Sequence, residues 1–362
     1  MLTTTLFPGR YVQGPNALKE LTSEIKRLGK NGFIIADPVV YDNILPDYYP
    51  DLEKEMKPGK ERFEGECTDK EIKRLSGIIR DEGSDVVVGF GGGKTIDTAK
   101  AVAHELKKPM IIIPSLASTD APCSALSVIY TEKGEVDRYL ILPQNPNVVI
   151  VDTQIIANAP SRFLVSGMGD ALATWFEAEA CKNAYAPNMT GNHGSMTAHY
   201  LAQLCFETIL EYGQAAKEAC DAGITTPALE KVTEANTLLS GLGFESGGLA
   251  SAHSIHNGLT ILEQTHDYFH GEKVTIGTLA SLFLTDKPME IIDTVYGFCD
   301  SVGLPVTLQQ IGLKDASDDD LMKVAEATVK EGETIHNEAL PVTAGAVFNA
   351  IKMADQYGKK YI

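Results

Sequence analysis

The sequence predicts a two-part α/β protein. A doubly wound, Rossmann-like sheet of mainly parallel strands spans residues 1–160, and an all-α domain spans residues 161–362. Three observations carry that reading. Short apolar runs rich in β-branched residues alternate with helical stretches through the first 160 residues. A glycine-rich turn joins one of those runs to a helix. Beyond residue 160 the apolar residues change to three-and-four spacing. A length of 362 residues fits two ordinary domains, and 44% hydrophobic residues are enough for a real core.

Taken in order, Phe33 to Ala36 is a strand run closing at Asp37, and Val86 to Phe90 is a second ending in glycines. Met110 to Ile113 stops at Pro114, and Val148 to Val151 stops at Asp152. Ser127 to Tyr130 and Tyr139 to Leu142 flank Glu132-Lys133-Gly134-Glu135, which predicts a hairpin inserted into the α/β layer. The pattern changes at Asn158-Ala159-Pro160-Ser161. After it, Gly169 to Lys182, Thr190 to Tyr212, Pro227 to Leu242, Leu249 to Leu262, Ser317 to Glu331 and Thr343 to Tyr357 read as helices.

Charge narrows the function classes. There are 49 Asp plus Glu against 31 Lys plus Arg, a formal net charge of −18. Nucleic-acid binders need a basic face, so that class is excluded, as is a polybasic membrane-surface protein. No apolar run is long enough for a transmembrane helix, and the first residues lack the pattern of a signal peptide. Six scattered cysteines without a CxxC pair read as free thiols, which places the protein in the cytoplasm.

The sharpest motif is Gly89-Phe90-Gly91-Gly92-Gly93-Lys94-Thr95-Ile96-Asp97. Glycines between a strand and a helix let backbone N–H groups approach a phosphate, and the helix dipole favours the anion. It is not a P-loop, because GxxxxGK[ST] needs glycine where Val88 stands. It is not GxGxxG either, because the third glycine position is Lys94. Asp37, at the end of an early strand, is suited to accept hydrogen bonds from ribose hydroxyls and to repel a 2′-phosphate, favouring NAD over NADP. It precedes the glycine loop, whereas the usual acidic residue follows by about 20 residues.

Four of the eight histidines, His253, His256, His266 and His270, fall within one short stretch. His253 and His256 share a helix face, and His270 stands at a helix start before Gly271. Two neutral imidazoles and one carboxylate make a three-ligand zinc site with an open position. Asp170, in Gly167-Met168-Gly169-Asp170, is the obvious carboxylate. His104, His193, His199 and His336 read as structural. Ser115-Leu116-Ala117-Ser118-Thr119-Asp120-Ala121-Pro122-Cys123-Ser124 forms a hydroxyl-rich loop after a strand. Its hydroxyls suit a cofactor, and Asp120 suits a polyol hydroxyl or a proton.

Gly91 to Lys100, Ser118 to Tyr130, Gly169 to Glu177 and Gly247 to Leu259 resemble, in order and across the whole chain, the iron-containing alcohol dehydrogenase superfamily, and in particular its glycerol dehydrogenase branch. The resemblance implies the architecture of 3-dehydroquinate synthase, with a cleft between two domains and frequent assembly as homo-octamers. It implies NAD-dependent oxidation of glycerol, a small neutral polyol, to dihydroxyacetone. The implied metal ligands are Asp170, His253 and His270, which would also bind substrate with Asp120. The implied NAD contacts are Asp37, Gly91, Gly92, Gly93, Lys94, Thr95, Asp97, Ser115, Ser118 and Thr119, with Ser124, Leu126 and Tyr130 beside them. Asp120 and His256 are the candidates for catalysis, His256 as a proton relay. Iron-dependent members carry a histidine where this chain has Thr174, so zinc is expected rather than iron. Related enzymes with anionic substrates need Lys or Arg in the cleft. Asp120 to Tyr130 and Leu249 to Leu262 contain neither, which favours the neutral polyol.

Overall fold

The structure is a computed structural model and describes residues 2–362. In chain order the strands are β1 (Tyr11–Gly14), β2 (Gly32–Ala36), β3 (Gly59–Arg62), β4 (Val86–Gly91), β5 (Met110–Pro114), β6 (Leu126–Tyr130), β7 (Val136–Ile141) and β8 (Val148–Asp152). Six of them form one sheet in the order β1-β8-β5-β4-β2-β3, with every pairing parallel. β6 and β7 form the expected antiparallel hairpin, a separate ribbon.

The outer strands β1 and β3 are not legible as strands from the sequence. Tyr11-Val12-Gln13-Gly14 and Gly59-Lys60-Glu61-Arg62 are four-residue edge strands, partly exposed and largely polar, so neither carries an apolar run. The central strands are buried on both faces. Ile34, Val88, Ile111 and Ile150 pack under α1 (Leu21–Leu28) and α2 (Leu45–Glu55). Their neighbours Phe33, Val87, Ile112 and Val149 pack under α3 (Asp69–Glu82) and α4 (Gly93–Leu106). The alternation of faces along each strand gives this two-sided burial, worth roughly 1.5–3 kcal/mol for each large side chain.

The chain reverses its direction of travel across the sheet between β2 and β4. From β2 it goes outward to β3, then returns to the other side of β2. A crevice outside the carboxyl ends of β2 and β4 follows from that reversal, and it is where open α/β sheets take ligands.

From residue 153 onward the regular elements are helical. They are α5 (Thr153–Asn158), α6 (Ser161–Ala184), α7 (Met196–Asp221), α8 (Pro227–Glu234), α9 (Ser240–Gly247), α10 (Ser251–Leu259), α11 (His270–Leu284), α12 (Met289–Val302), α13 (Asp318–Thr328) and α14 (Ala344–Gly358). α7 starts at Met196 rather than Thr190, because Ser195 caps it by accepting from the Ala198 N–H. α10 stops at Leu259, three residues before the expected end. α12 is an additional helix that the periodicity reading passed over. α8 and α9 are joined by a π-helical turn, Ala235–Leu239, where one continuous helix was expected. The larger apolar core runs without a break from the α3 and α4 face of the sheet into the helical part. Among the described residues no helix is long and apolar enough to cross a membrane.

Candidate active site

The glycine loop lies at the sheet reversal. Asp37 follows β2 directly, and its Oδ2 accepts from the Gly92 N–H at 3.1 Å while Oδ1 accepts from the Val40 N–H at 2.8 Å. This resolves the unusual order of acid and loop: β2 precedes β4 in the chain but is its neighbour in the sheet. Gly91 is required here, since a Cβ would stand 2.5 Å from Asp37 Oδ2 and 2.9 Å from Thr95 Oγ1. A Cβ on Gly92 or Gly93 would meet nothing closer than 3.7 Å, so the loop leaves open space. α4 opens there with no side-chain cap. The Thr119 hydroxyl stands over Gly93, and the Ser115 N–H donates to the Gly91 carbonyl at 3.0 Å. Ser118 is half-buried beside Thr119.

Other residues of the predicted cofactor set turn inward. Thr95 is buried. The buried Asp97 carboxylate accepts from the Val128 N–H of the hairpin at 3.1 Å, and burial pushes its carboxyl up to about 6. The Ser124 hydroxyl is buried, accepts from Lys100 and donates to the Ala121 carbonyl. Lys94 is exposed, paired with Glu66 at 2.6 Å and placed over the Tyr130 ring. Leu126 and Tyr130 remain partly exposed on the hairpin. Lys100 is a buried cation that the sequence reading passed over at the polyol loop. Its ammonium is spent on the Ala121 and Leu126 carbonyls and Ser124, at 2.5, 3.0 and 3.2 Å.

The helices assemble the second cluster. Asp170 lies within α6, His253 in the first turn of α10, and His270 opens α11. α6 and α11 cross at glycines: a Cβ on Gly271 would meet the Ser166 carbonyl oxygen at 1.7 Å, and one on Gly169 the Gly271 carbonyl oxygen at 2.5 Å. That close crossing sets His270 against Asp170. One donor atom from each of Asp170, His253 and His270 lies within 4.8 Å of the others. Asp170 Oδ1 is 3.4 Å from His253 Nε2 and 3.2 Å from His270 Nε2, yet it is buried with no hydrogen-bond partner. Those separations match the edge of a tetrahedron with metal bonds of about 2.0–2.1 Å, roughly 3.3 Å. A buried, unpartnered carboxylate oxygen facing two imidazole nitrogens is chemistry that a divalent cation completes, so the residues fit a metal.

Asp120 joins the two halves. Its N–H donates to Asp170 Oδ2 at 3.2 Å, and its Oδ2 accepts from the Ser240 hydroxyl at 2.9 Å. Thr174 and Ser240 hydroxyls lie 2.8 Å apart, and since Ser240 donates to Asp120, Thr174 donates to Ser240. Thr174 is thus occupied away from the cluster. Burial and then the Asp170 carboxylate push Asp120 well above the usual carboxylate range. Burial raises Asp170 too, but His270 and His253 outweigh it and hold Asp170 well below that range. His256 is pushed well down by burial and by the neighbouring His270, His253 and Lys273. Its ring stands edge-on to His270, with centroids 4.3 Å apart, and its Nδ1 lies 3.1 Å from Asn257 Oδ1. His266 is exposed and its Nε2 lies 2.9 Å from the Thr260 carbonyl oxygen, so it does not join the cluster.

Three further residues belong to the site. Asn236, in the π-helical turn, donates to the Ala117 and Leu164 carbonyls at 2.9 and 3.0 Å, tying the Ser115–Thr119 segment to α6. Ser240 follows on the same turn. Glu177 lies two turns beyond Asp170 on α6, against His253. Glu177 stands in a motif quoted above, but its spacing of seven from Asp170 reads equally as a buried helix position.

A glycine loop at the reversal of a parallel sheet, with a three-donor cluster on the helices beside it, is the architecture of a dehydrogenase class, and the model of the family "Iron-containing alcohol dehydrogenase" matches residues 8–153. A glycerol dehydrogenase of Thermotoga maritima is 63% identical over 359 residues, covering 99% of this chain and 98% of that one. One from Citrobacter freundii is 51% identical over 366 residues, covering all of both. The crystal structure of glycerol dehydrogenase from Schizosaccharomyces pombe superposes with a TM-score of 0.95 at 38% identity, over 99% of this chain and 92% of that chain. The chain belongs to the glycerol dehydrogenase family of the iron-containing alcohol dehydrogenases.

Proposed function

We propose that this chain catalyses the reversible, NAD-dependent oxidation of glycerol to dihydroxyacetone, with related vicinal diols as further substrates. The observation that carries the reading is the cluster of buried Asp170 with the partly exposed His253 and His270, held to Asp120, in a chain whose glycine loop stands at the sheet reversal. The full-length likeness to glycerol dehydrogenases supports the same substrate.

In this reading residues 1–160 carry NAD and residues 161–362 the metal. The Gly91–Gly93 loop and the opening of α4 hold the pyrophosphate. Asp37 takes the ribose hydroxyls, and Ser118 and Thr119 lie along the cofactor. Asp170, His253 and His270 hold the metal. When bound, the metal supplies Lewis acidity toward a secondary hydroxyl and NAD accepts the hydride. Asp120, fixed by Ser240, orients the polyol. His256 is the candidate proton relay, its Nδ1 within hydrogen-bond distance of Asn257 Oδ1 and its ring against His270. With Thr174 turned to Ser240, three protein donors remain, which suits zinc over iron.

We further read the protein as cytoplasmic and as a homo-oligomer, an octamer by family resemblance. Six buried free thiols support the first reading. An apolar stripe on α7 supports the second: Met196, Tyr200 and Leu204 are exposed at four-residue spacing, with Tyr185 beside them.

The deciding experiment is NADH formation from NAD and glycerol after chelation, followed by separate additions of zinc and iron. Activity restored by zinc is expected. No turnover with either metal would overturn the reading.

A further inference from the structure

We propose that Glu177 is a positioning residue that fixes the tautomer of His253 and so sets the affinity of the metal cluster. The proposal rests on the metal reading of Asp170, His253 and His270.

Glu177 is buried on α6, seven residues after Asp170. Its Oε1 accepts two backbone donors at the start of α10, the Ala250 N–H at 3.0 Å and the His253 N–H at 2.9 Å. Its Oε2 faces His253 Nδ1 at 2.6 Å. The two backbone donors fix which way the carboxylate is presented, and a carboxylate only accepts. His253 therefore carries its proton on Nδ1. In the neutral imidazole, the form that a cation would bind, Nε2 is then the lone-pair nitrogen, and Nε2 is the atom that faces Asp170 Oδ1. A histidine metal ligand needs this arrangement, with its outward N–H held by an acceptor. One helix thus supplies a metal ligand, Asp170, and the group that prepares another.

Glu177→Gln separates this role from simple packing. Gln keeps the volume, and its carbonyl oxygen stays with the two backbone N–H groups. Its NH₂ then faces His253 Nδ1, and donation to Nδ1 moves the ring proton to Nε2, against Asp170 and the metal position. Glu177→Ala leaves two orphaned N–H groups and a cavity, but lets the ring choose its tautomer. A structural role therefore predicts that Ala is worse than Gln, and the positioning role predicts the reverse.

The test measures zinc affinity by competition with a chromophoric chelator, on full-length protein, with NADH binding as the control for an intact fold. Expected are zinc affinity reduced by about 10–100-fold in Glu177→Gln, a smaller loss in Glu177→Ala, and unchanged NADH binding in both. Gln equal to wild type, or Ala weaker than Gln, would overturn the proposal. If the Gln variant does not fold, Glu177→Asp replaces it, and tighter zinc binding than in Ala is then required. Wild-type protein that fails to bind zinc or iron at all would instead remove the metal reading beneath it.

Discussion

The backbone N–H of Asp120 donates to Oδ2 of Asp170 at 3.2 Å, so the loop after β5 is tied directly to the helix that bears the carboxylate of the metal cluster. The other Asp170 oxygen faces the two imidazoles. Asp170 is thereby divided, one oxygen bound to the protein backbone and one facing the imidazoles. Asp120 stands beside that cluster with its own carboxyl group steadied by Ser240.

Asp120→Asn keeps the acceptor for Ser240 and the backbone link but replaces one carboxyl oxygen with an NH₂ that only donates. If Asp120 orients the polyol, kcat/KM for glycerol falls by roughly 10-fold, the value of one hydrogen bond. Metal content and NADH affinity stay at the wild-type level. Steady-state kinetics beside elemental analysis check this, and an unchanged kcat/KM would remove Asp120 from the substrate site.

Metal removal is expected to cost stability as well as activity. Asp120 and Asp170 are both buried, and the Asp170 carboxylate raises the cost of charging Asp120. A cation bound only to the folded state adds about 4 kcal/mol when present at a thousandfold excess over its dissociation constant. Calorimetric scans should therefore give a lower Tm after chelation and recovery on adding zinc. In His253→Ala the Tm should no longer respond to zinc.

The parts of the fold legible in the sequence are those with strong periodicity. The runs at Phe33, Val86, Met110 and Val148 are buried on both faces, and burial demands continuous apolar residues. β1 and β3 escaped because an edge strand needs no such run. Histidine spacing at residues 253–270 pointed to a cluster, and the resemblance, not the spacing, singled out Asp170, His253 and His270, which the structure brings together. Ser240, Asn236 and Lys100 were not legible, because their roles come from tertiary contact. The π-helical turn adds a residue to a helix whose sequence reads as regular, and nothing local announces it. Lys100 looks like a surface lysine on a helix until the hairpin loop closes over it.

The thiols give a test of burial independent of catalysis. All six cysteines are buried, and burial pushes Cys67 up to about 12, with the others raised as well. The thiolate is the reactive form, so at pH 8 the native protein should react with an aromatic disulfide reagent very slowly at every site. Denatured protein should release the full six equivalents. A fast-reacting thiol in the native state would contradict the packing described here.

The stripe on α7 puts the homo-oligomer proposal to a test. Met196, Tyr200 and Leu204 present one apolar face, while Ala198, Ala202 and Cys205 bury the opposite one. The adjoining groove is lined by Trp175, Lys182, Tyr185, His193 and Gln203 among others, with no acidic residue. On a chain of net charge −18, a groove lined by no carboxylate is where two copies approach at low electrostatic cost. Met196→Glu with Tyr200→Glu places charge on that face without touching the core. Light scattering should then report a smaller particle than wild type, with far-ultraviolet circular dichroism unchanged. The same particle size in both would move the interface elsewhere.

Cofactor choice follows from Asp37. Its two oxygens each accept one backbone N–H, which fixes the carboxylate at the β2 and β4 crevice and leaves lone pairs for the ribose. A fixed negative charge there favours the 2′-hydroxyl of NAD and opposes the 2′-phosphate of NADP. Asp37→Asn removes that charge and keeps one acceptor oxygen, so one of the Gly92 and Val40 N–H groups gives up its side-chain acceptor. The ratio of kcat/KM for NAD over NADP should therefore fall by roughly 10–100-fold, the same scale as one charge-assisted hydrogen bond. Both halves of the ratio contribute: NAD loses a strong acceptor, and NADP loses a repulsion. Because Asp37 follows β2 of the sheet and its carboxylate is held by Gly92 and Val40 rather than by the Asp170, His253 and His270 cluster, zinc affinity and the KM for glycerol should be unaltered. A ratio that stays at the wild-type value would mean that another group reads the ribose, and Asp37 would then serve only to hold Gly92 and Val40.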